Sequence, residues 1–330
     1  MTQPSTTFSL EQSLAAAQHT FSTEITALKE LAVRLGHDFY AATQHILQCQ
    51  GRIVVAGIGK SGHIGRKIAA TFASTGTPAF FMHAAEALHG DLGMLTKDDV
   101  LIAISYSGTA TELLTILPAA KRLGCVCIAI TGASDSELAQ HADIHLDVHV
   151  QTEACPLNLA PTSSTTATLV LGDALAVACL TARGFSRTDF ARSHPGGALG
   201  RQLLTYVSDI MRHGAELPIV NTGTLVPAAL AEMSAKRMGM TIVVDTQHHP
   251  IGIFTDGDLR RLIIRCGDIR SLTVDQGMTP NPKTIPPNQL AIKAANTMDT
   301  DRLNQLLVVD GSGLLLGALH MHDLLAAKVI

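Results

Sequence analysis

The sequence predicts an α/β protein in which a doubly wound parallel sheet is followed by a smaller, duplicated module. Three observations carry the prediction. Between Arg52 and Ala182, short aliphatic runs alternate with helix-length segments, as βα units do when helices cover both faces of a parallel sheet. From Ile210 onward the chain repeats itself at a nearly fixed offset, the signature of two copies of one supersecondary unit. The third is composition: 46% hydrophobic and 16% charged residues over 330 positions, with no Trp. That is enough chain for about two domains and enough aliphatic surface to bury their cores.

Leu10 to Cys49 carries apolar residues at helical spacing (Ile25, Leu28, Leu31, Ala32, Leu35), giving one or two leading helices in a region read as 1–42. A sheet domain is expected over 43–185. Its strands are read at Arg52 to Gly57, Phe80 to His83, Asp99 to Ser105, Cys125 to Thr131 and Asp143 to Val150. Its helices are read at Ile64 to Ser74, Thr111 to Leu123, Ser136 to Ala142 and Thr166 to Ala182. The turn residues His194-Pro195-Gly196-Gly197-Ala198-Leu199-Gly200 mark a hinge, and 186–209 is read as a linker. The two copies follow, at 210–268 and 277–330. Met211 is matched by Met278, the strand Thr241 to Asp245 by Leu306 to Asp310, and Gly252 to Leu259 by Gly317 to Leu324, at offsets of 67, 65 and 65 residues. Each copy reads β-α-β-β-α, and the two are expected to cover each other's apolar faces.

A net charge of −4 supplies no basic footprint for nucleic acid. The six cysteines, Cys49, Cys125, Cys127, Cys155, Cys179 and Cys266, form no CxxC pair and read as reduced core residues. Met1 to Gln18 lacks the cationic and apolar stretches of a signal peptide, and no run of about eighteen apolar residues is read anywhere. A soluble, cytoplasmic protein with a small-molecule partner, no nucleic acid and no membrane is the expectation.

Two strand-to-helix junctions carry chemistry. Gly57-Ile58-Gly59-Lys60-Ser61-Gly62 is a literal G-x-G-x-x-G, but Phe80-Phe81-Met82-His83 lacks the acidic residue that would hold a ribose. Val54 stands where a Walker A loop needs glycine. What remains is a backbone that admits a ligand closely, with a helix N-terminus, Lys60 and Ser61 favouring an anion. The second junction, Ser105-Tyr106-Ser107-Gly108-Thr109-Ala110-Thr111-Glu112, gathers hydroxyls where backbone N–H groups are free, the outline of a phosphate cradle. Thr109 and Glu112 also fit a capping box, in which Glu112 ties back to the cap amide.

Further on come Glu153-Ala154-Cys155-Pro156, Ala160-Pro161-Thr162-Ser163-Ser164-Thr165 and Ser193-His194-Pro195-Gly196-Gly197. Taken alone, Glu153 reads as a solvated loop charge and His194 as a turn residue. Together with Gly59-Lys60-Ser61-Gly62-His63-Ile64-Gly65-Arg66-Lys67, Ser74-Thr75-Gly76-Thr77-Pro78 and His89-Gly90-Asp91-Leu92-Gly93, these motifs make the chain resemble the sugar isomerase (SIS) superfamily nearly end to end. Within it, the chain resembles the D-arabinose 5-phosphate isomerase family.

That resemblance implies catalytic positions at Lys60, Glu112, Glu153 and His194. It implies substrate contacts at Gly59, Ser61, Gly76, Thr77, His83 and His89, and a phosphate site at Ser105, Ser107 and Thr109. It also implies interconversion of D-ribulose 5-phosphate and D-arabinose 5-phosphate, the precursor of the Kdo sugar of lipopolysaccharide, by a homotetramer. Moving a carbonyl between C1 and C2 needs a base, an acid at the oxygens and stabilisation of an enediolate, and requires no cofactor. Glu153 or Glu112, with a pKa raised by a shielded pocket, is expected as base, His194 at the oxygens and Lys60 beside the negative charge. Two positions depart from the family pattern, Tyr106 where Asn is expected and Ala84 in place of Pro, and both bear on substrate fit. His141, His145 and His149 fall on an expected strand and do not share a face as metal ligands. His83 is a candidate for an inhibitory divalent metal such as zinc.

The duplicated tail resembles a tandem pair of cystathionine-β-synthase-type (CBS) domains. By that resemblance Thr255 and Asp258 are candidate contacts to a nucleotide or sugar-nucleotide effector, while in the second copy His320 replaces the threonine and leaves Asp323. The competing reading is a non-catalytic phosphosugar sensor; a DNA-binding regulator would need a helix-turn-helix and a basic surface that the leading segment does not supply. A different sugar-phosphate isomerase and, more remotely, an NAD-dependent dehydrogenase are the other enzymatic readings.

Overall fold

Helices α1 (Leu10–Arg34) and α2 (His37–Gln48) form from the apolar positions at helical spacing. Ser9 and Gln12 cap α1 reciprocally, each side chain bonding the other's backbone amide at 3.0–3.1 Å. The computed structural model describes residues 8–330, so the first seven residues of the leading segment lie outside the described residues.

The chain divides into two units, the first ending at Ser193 and the second starting at His194. The first is built on β1 (Ile53–Gly57), β2 (Ala79–His83), β3 (Val100–Ile104), β4 (Val126–Thr131) and β5 (Ile144–Asp147). These strands alternate with α3 (Gly59–Ser74), α4 (Ala84–Ala87), α5 (Thr111–Leu123) and α6 (Glu137–His141), and α7 (Ser163–Ala182) and α8 (Arg187–Ser193) follow. All pairings are parallel, in the order β2-β1-β3-β4-β5. Alternate residues of each strand face opposite sides. Ile53, Val55, Ile102, Ile104, Ile128 and Ile130 pack with α1, α2, α3 and α7 in one core. Val54, Ala56, Leu101, Ala103, Cys127 and Ala129 pack in the other, with Leu113, Ile116, Leu117 and Ala120 of α5 and Leu138 of α6.

Several boundaries differ from the sequence reading. The ladder of β5 stops at Asp147; Val148 and Val150 stay buried, but at Val150 the backbone turns to a side-chain partner, the Tyr106 hydroxyl. Helix α3 begins at Gly59 and α7 at Ser163, because small and hydroxyl residues occupy first turns readily. Helix α7 is also long and apolar enough to cross a membrane by length and composition, which corrects the reading that no such run exists. It packs against α1, α2 and α3 and buries Ala167, Leu171, Leu175, Ala176 and Cys179. The cysteines are all free, yet only Cys125, Cys127 and Cys179 are buried; Cys49 and Cys155 are half-buried and Cys266 is exposed. Segment 186–209, read as a linker, contains α8, α9 (Ala198–Leu204) and most of α10 (Val207–Ile210).

The second unit then runs β6 (Ile219–Asn221), α11 (Val226–Lys236), β7 (Met240–Val244), β8 (Pro250–Thr255) and α12 (Asp256–Cys266). It continues through β9 (Thr279–Pro280), β10 (Thr284–Ile285), α13 (Ala291–Asp301), β11 (Gln305–Val309), β12 (Leu315–His320) and α14 (Met321–Ala326). Two β-α-β-β-α copies are evident, with sheet orders β6-β7-β8-β9 and β10-β11-β12. The copies trade their lead-in segments. Strand β9, which precedes copy two, pairs antiparallel with β8, and Arg212, which precedes copy one, bridges to Ala318 of β12. A Cβ added to Gly252 would lie 2.5 Å from the Met278 sulfur, and one on Gly317 2.7 Å from that of Met211. Each copy's methionine therefore fills the space left by the other copy's glycine, which is why Met and Gly recur together.

The same exchange builds a polar lock in each copy. Asp258 is 2% exposed; it accepts the Thr255 amide at 2.8 Å and hydroxyl at 2.7 Å, the Thr279 hydroxyl at 2.8 Å, and Arg261. Burial pushes its pKa up, but these donors outweigh burial and hold it below the usual carboxylate range. A folded-state pKa below the unfolded value of about 3.9 gives stability that is complete above that pH and is lost as pH falls through the folded pKa. In copy two, Arg212 forks onto Asp323 at 2.9–3.2 Å, and the His320 imidazole accepts the His322 amide at 3.0 Å. Asp258→Ala orphans several donors and is expected to cost about 1–3 kcal/mol. Thermal unfolding followed by circular dichroism checks this, and the deficit against the parent should shrink below about pH 4, where the parent's own carboxyl protonates.

Candidate active site

In a parallel sheet all strand-to-helix loops leave from one edge, and here the strand order reverses at β1: the chain passes outward to β2, then returns to the far side of β1 as β3. The crevice between the loops after β1 and β3 is the topological switch point at which such sheets bind ligands. Both chemistry-bearing junctions flank it. Gly57 sits so close to the next turn that a Cβ would fall 3.1 Å from the Ser61 carbonyl carbon, and Gly59 takes φ +54°. Helix α3 then starts behind Ile58 with no side-chain cap and with Lys60 exposed in its first turn. Its amides and ammonium face outward as an anion site.

On the other side, Ser105 is buried and its amide bonds Ile130 O at 3.1 Å. Gly108 (φ +67°) rests on the Ser136 hydroxyl, where any side chain would collide. Ser107 and Thr109 hydroxyls pair at 2.9 Å. The capping-box reading of Thr109 and Glu112 is corrected: the cap residue of α5 is Ala110 with no side-chain bond, since Thr109 is spent on Ser107. Glu112 is thus a half-buried first-turn carboxylate that is not tied back to a cap.

Glu153 is neither a solvated loop charge nor a carboxyl of raised pKa. Its Oε2 accepts the Thr162 amide at 2.7 Å, the Thr162 hydroxyl at 3.0 Å and the Ser164 amide at 3.2 Å, while Oε1 accepts the Ser164 hydroxyl. The carboxylate therefore caps α7 from a loop. Burial raises its pKa, and the donors from Ser164 and Thr162 outweigh burial, so the net direction is down. The loop is fixed by Asn158, whose Oδ1 accepts the Glu153 amide at 2.7 Å, and by Thr162, whose hydroxyl accepts the Ala154 amide at 2.8 Å.

The remaining sequence-derived residues spread more widely. His83 ends β2 on the loop-bearing edge, half-buried, with Nδ1 buried and without a partner; His89 is exposed. Among the described residues no group of three or more His, Cys, Asp or Glu side chains is placed to hold a metal ion, so His83 has no companion ligands for zinc. Gly76 and Thr77 precede β2 and so lie at the opposite edge of the sheet from the crevice. Thr77 is buried and accepts from Arg183, and Gly76 packs beneath Phe185. His194 opens the second unit, its carbonyl accepting the Gly197 amide at 3.1 Å.

Sequence reasoning missed Ser163, fully buried at the start of α7 with its hydroxyl unpartnered, and the anchoring roles of Thr162 and Ser164. The hydroxyl run before an apolar helix was the signal available for all three. Ser164→Ala is expected to raise the Glu153 pKa toward its ordinary value and to cost about 0.5–2 kcal/mol as a lost cap, read by 13C-carboxyl NMR titration and thermal unfolding.

The SIS domain family model matches residues 46–178, and the CBS domain model matches 207–265 and 267–329. The arabinose 5-phosphate isomerase KdsD of Pseudomonas aeruginosa is 55% identical over 315 residues, which is 96% of this chain and 97% of that protein. Its counterpart from Escherichia coli K12 is 52% identical over 96% of each chain. A protein of E. coli CFT073 solved in complex with arabinose 5-phosphate superposes with a TM-score of 0.55 at 43% identity, covering 57% of this chain and 100% of that one. The chain thus belongs to the arabinose 5-phosphate isomerase family, with a SIS domain followed in sequence by a CBS pair.

Proposed function

We propose that the protein interconverts D-ribulose 5-phosphate and D-arabinose 5-phosphate through an enediolate, as a cytoplasmic homotetramer supplying the Kdo sugar of lipopolysaccharide. The observation that carries this reading is an ionised, immobilised Glu153 on the same sheet edge as a hydroxyl-rich loop at an uncapped helix N-terminus. The serine loop takes the phosphate through amides and hydroxyls, a mode suited to a monoester that must also leave.

In the forward direction a carboxylate removes a proton from C1 of the ketose and the C2 carbonyl becomes an enediolate oxygen. Protonation at C2 and loss of the O1 proton then give the aldehyde. Glu153 is assigned as this base. Its Oε2 is saturated by three donors, but Oε1 holds one bond and keeps a lone pair for the substrate proton. Glu112 is the second carboxylate available to relay protons. Lys60, at the positive end of α3, stabilises the enediolate, and His194 is assigned to proton transfer at the oxygens. In the CBS pair, a nucleotide or sugar-nucleotide effector at Thr255 and Asp258 must displace Thr279 or Arg261 from a carboxylate whose acceptors are filled.

The apolar residues Leu10, Leu14 and Phe21 of α1 and Val170 and Val177 of α7 are exposed, and α1 packs on α7. Contiguous apolar surface of this kind marks a protein interface, and it is assigned to contacts between subunits. Phe21→Glu combined with Val177→Glu is expected to dissociate the assembly in sedimentation velocity; an unchanged oligomer moves the interface elsewhere.

Incubation with D-ribulose 5-phosphate in deuterated buffer should yield D-arabinose 5-phosphate carrying deuterium at C2, and Glu153→Gln should lower kcat by roughly 10² to 10⁴. Tight binding of pentose phosphates without turnover would favour the sensor reading instead.

A further inference from the structure

Tyr106 is the one aromatic residue in the serine loop, and it points away from the crevice into the domain. Its backbone carbonyl accepts the Gly132 amide at 2.8 Å, and its ring lies directly over Gly132, where a side chain would overlap it. Its hydroxyl accepts the Val150 amide at 3.2 Å and approaches the Val150 carbonyl at 3.5 Å. Burial, the first cause, raises the phenol's pKa, with the nearby charges of Glu153 and Asp147 adding to it, so the hydroxyl is neutral and able both to donate and to accept. Val150 lies three residues before Glu153, in a stretch that has left the β5 ladder and finds its polar partner in this side chain. One side chain therefore joins the phosphate loop, the turn after β4 and the segment that delivers Glu153.

We propose that Tyr106 is a positioning residue that sets the distance between the phosphate-binding loop and the Glu153 carboxylate. The inference rests on the isomerase assignment for its kinetic consequence and on geometry alone for its structural one. A sugar phosphate anchored at the serine loop presents its C1 and C2 at a distance fixed by its own bonds. The base must be held at the matching distance, and displacement by an ångström is enough to cost most of the rate. Tyr106 touches neither reacting atoms nor phosphate; it fixes the two elements that do.

The test uses the full-length protein. Tyr106→Phe keeps the ring over Gly132 and removes only the link to Val150. We expect kcat to fall roughly tenfold with KM within about twofold, unchanged affinity for inorganic phosphate, and a Glu153 pKa that rises in 13C-carboxyl titration as its bonds to α7 loosen. Gly132→Ala, which forces the ring off its seat, should lower kcat in the parent and have no further effect on a Tyr106→Ala background. Unchanged kcat and Glu153 titration in Tyr106→Phe, with only a lower Tm, overturn the proposal. So does an equal loss of phosphate affinity and kcat, which would mean that the loop itself has collapsed. A parent that does not turn over D-ribulose 5-phosphate sinks the isomerase reading, and the Glu153 titration then decides the positioning role by itself.

Discussion

Parallel pairing of five strands is the constraint on which the first unit depends. Each return to the starting edge demands a crossover helix, so every strand-to-helix loop emerges on one side, and the reversal at β1 leaves a crevice there that no crossover spans. The helix N-termini at this edge are then treated differently. Neither α3 nor α5 has a side-chain cap, and their free amides remain available to an incoming anion. Helix α7 is instead satisfied by the chain's own carboxylate, Glu153. The edge thus separates places that await negative charge from one that already holds it.

The fold was largely legible because its signals are local. Aliphatic runs gave the strands, and the Met211/Met278 and Gly252/Gly317 pairs gave the duplication, although only the structure shows that these pairs interlock across the copies. Boundaries failed where hydroxyl or glycine residues start helices, at Gly59 and Ser163, since those residues read equally well as loop. The apolar length of α7 went unrecognised because Ser and Thr interrupt it. For the site, residue types and loops were visible, but Glu153's partners lie nine and eleven positions away in a helix turn. Its lowered pKa is a property of that tertiary contact, not of the sequence around it. Gly76 and Thr77 illustrate the converse, since motif membership places them with the substrate while strand polarity places them at the other edge of this chain's sheet.

Duplication in the second unit is kept in architecture and broken in chemistry. Thr279 and Arg212 occupy matching lead-in positions, each offering a donor to the other copy's helix-capping aspartate. In copy one that donor is a neutral hydroxyl, and the aspartate recruits Arg261 from its own helix as well. In copy two it is a guanidinium fork, which neutralises Asp323 outright. A ligand competing for these carboxylates meets a lower barrier in copy one, where a hydroxyl can rotate away, than in copy two, where displacing Arg212 leaves a partly buried charge unpaired.

The lowered pKa of Glu153 looks like a handicap for a base, because proton affinity falls with it. Two opposing contributions make up that pKa, and they respond differently to substrate. Desolvation, which raises it, is the largest single contribution even with the crevice open to water. The hydrogen bonds from Thr162 and Ser164 that lower it belong to the fixed end of α7 and are already complete. A sugar phosphate in the crevice displaces water from the carboxylate without adding donors to Oε2, so occupancy strengthens only the contribution that raises basicity. Glu153 is therefore ionised and oriented before substrate arrives and becomes a better base as substrate settles. In such a site, orientation comes from the helix end and reactivity from the ligand's own exclusion of water.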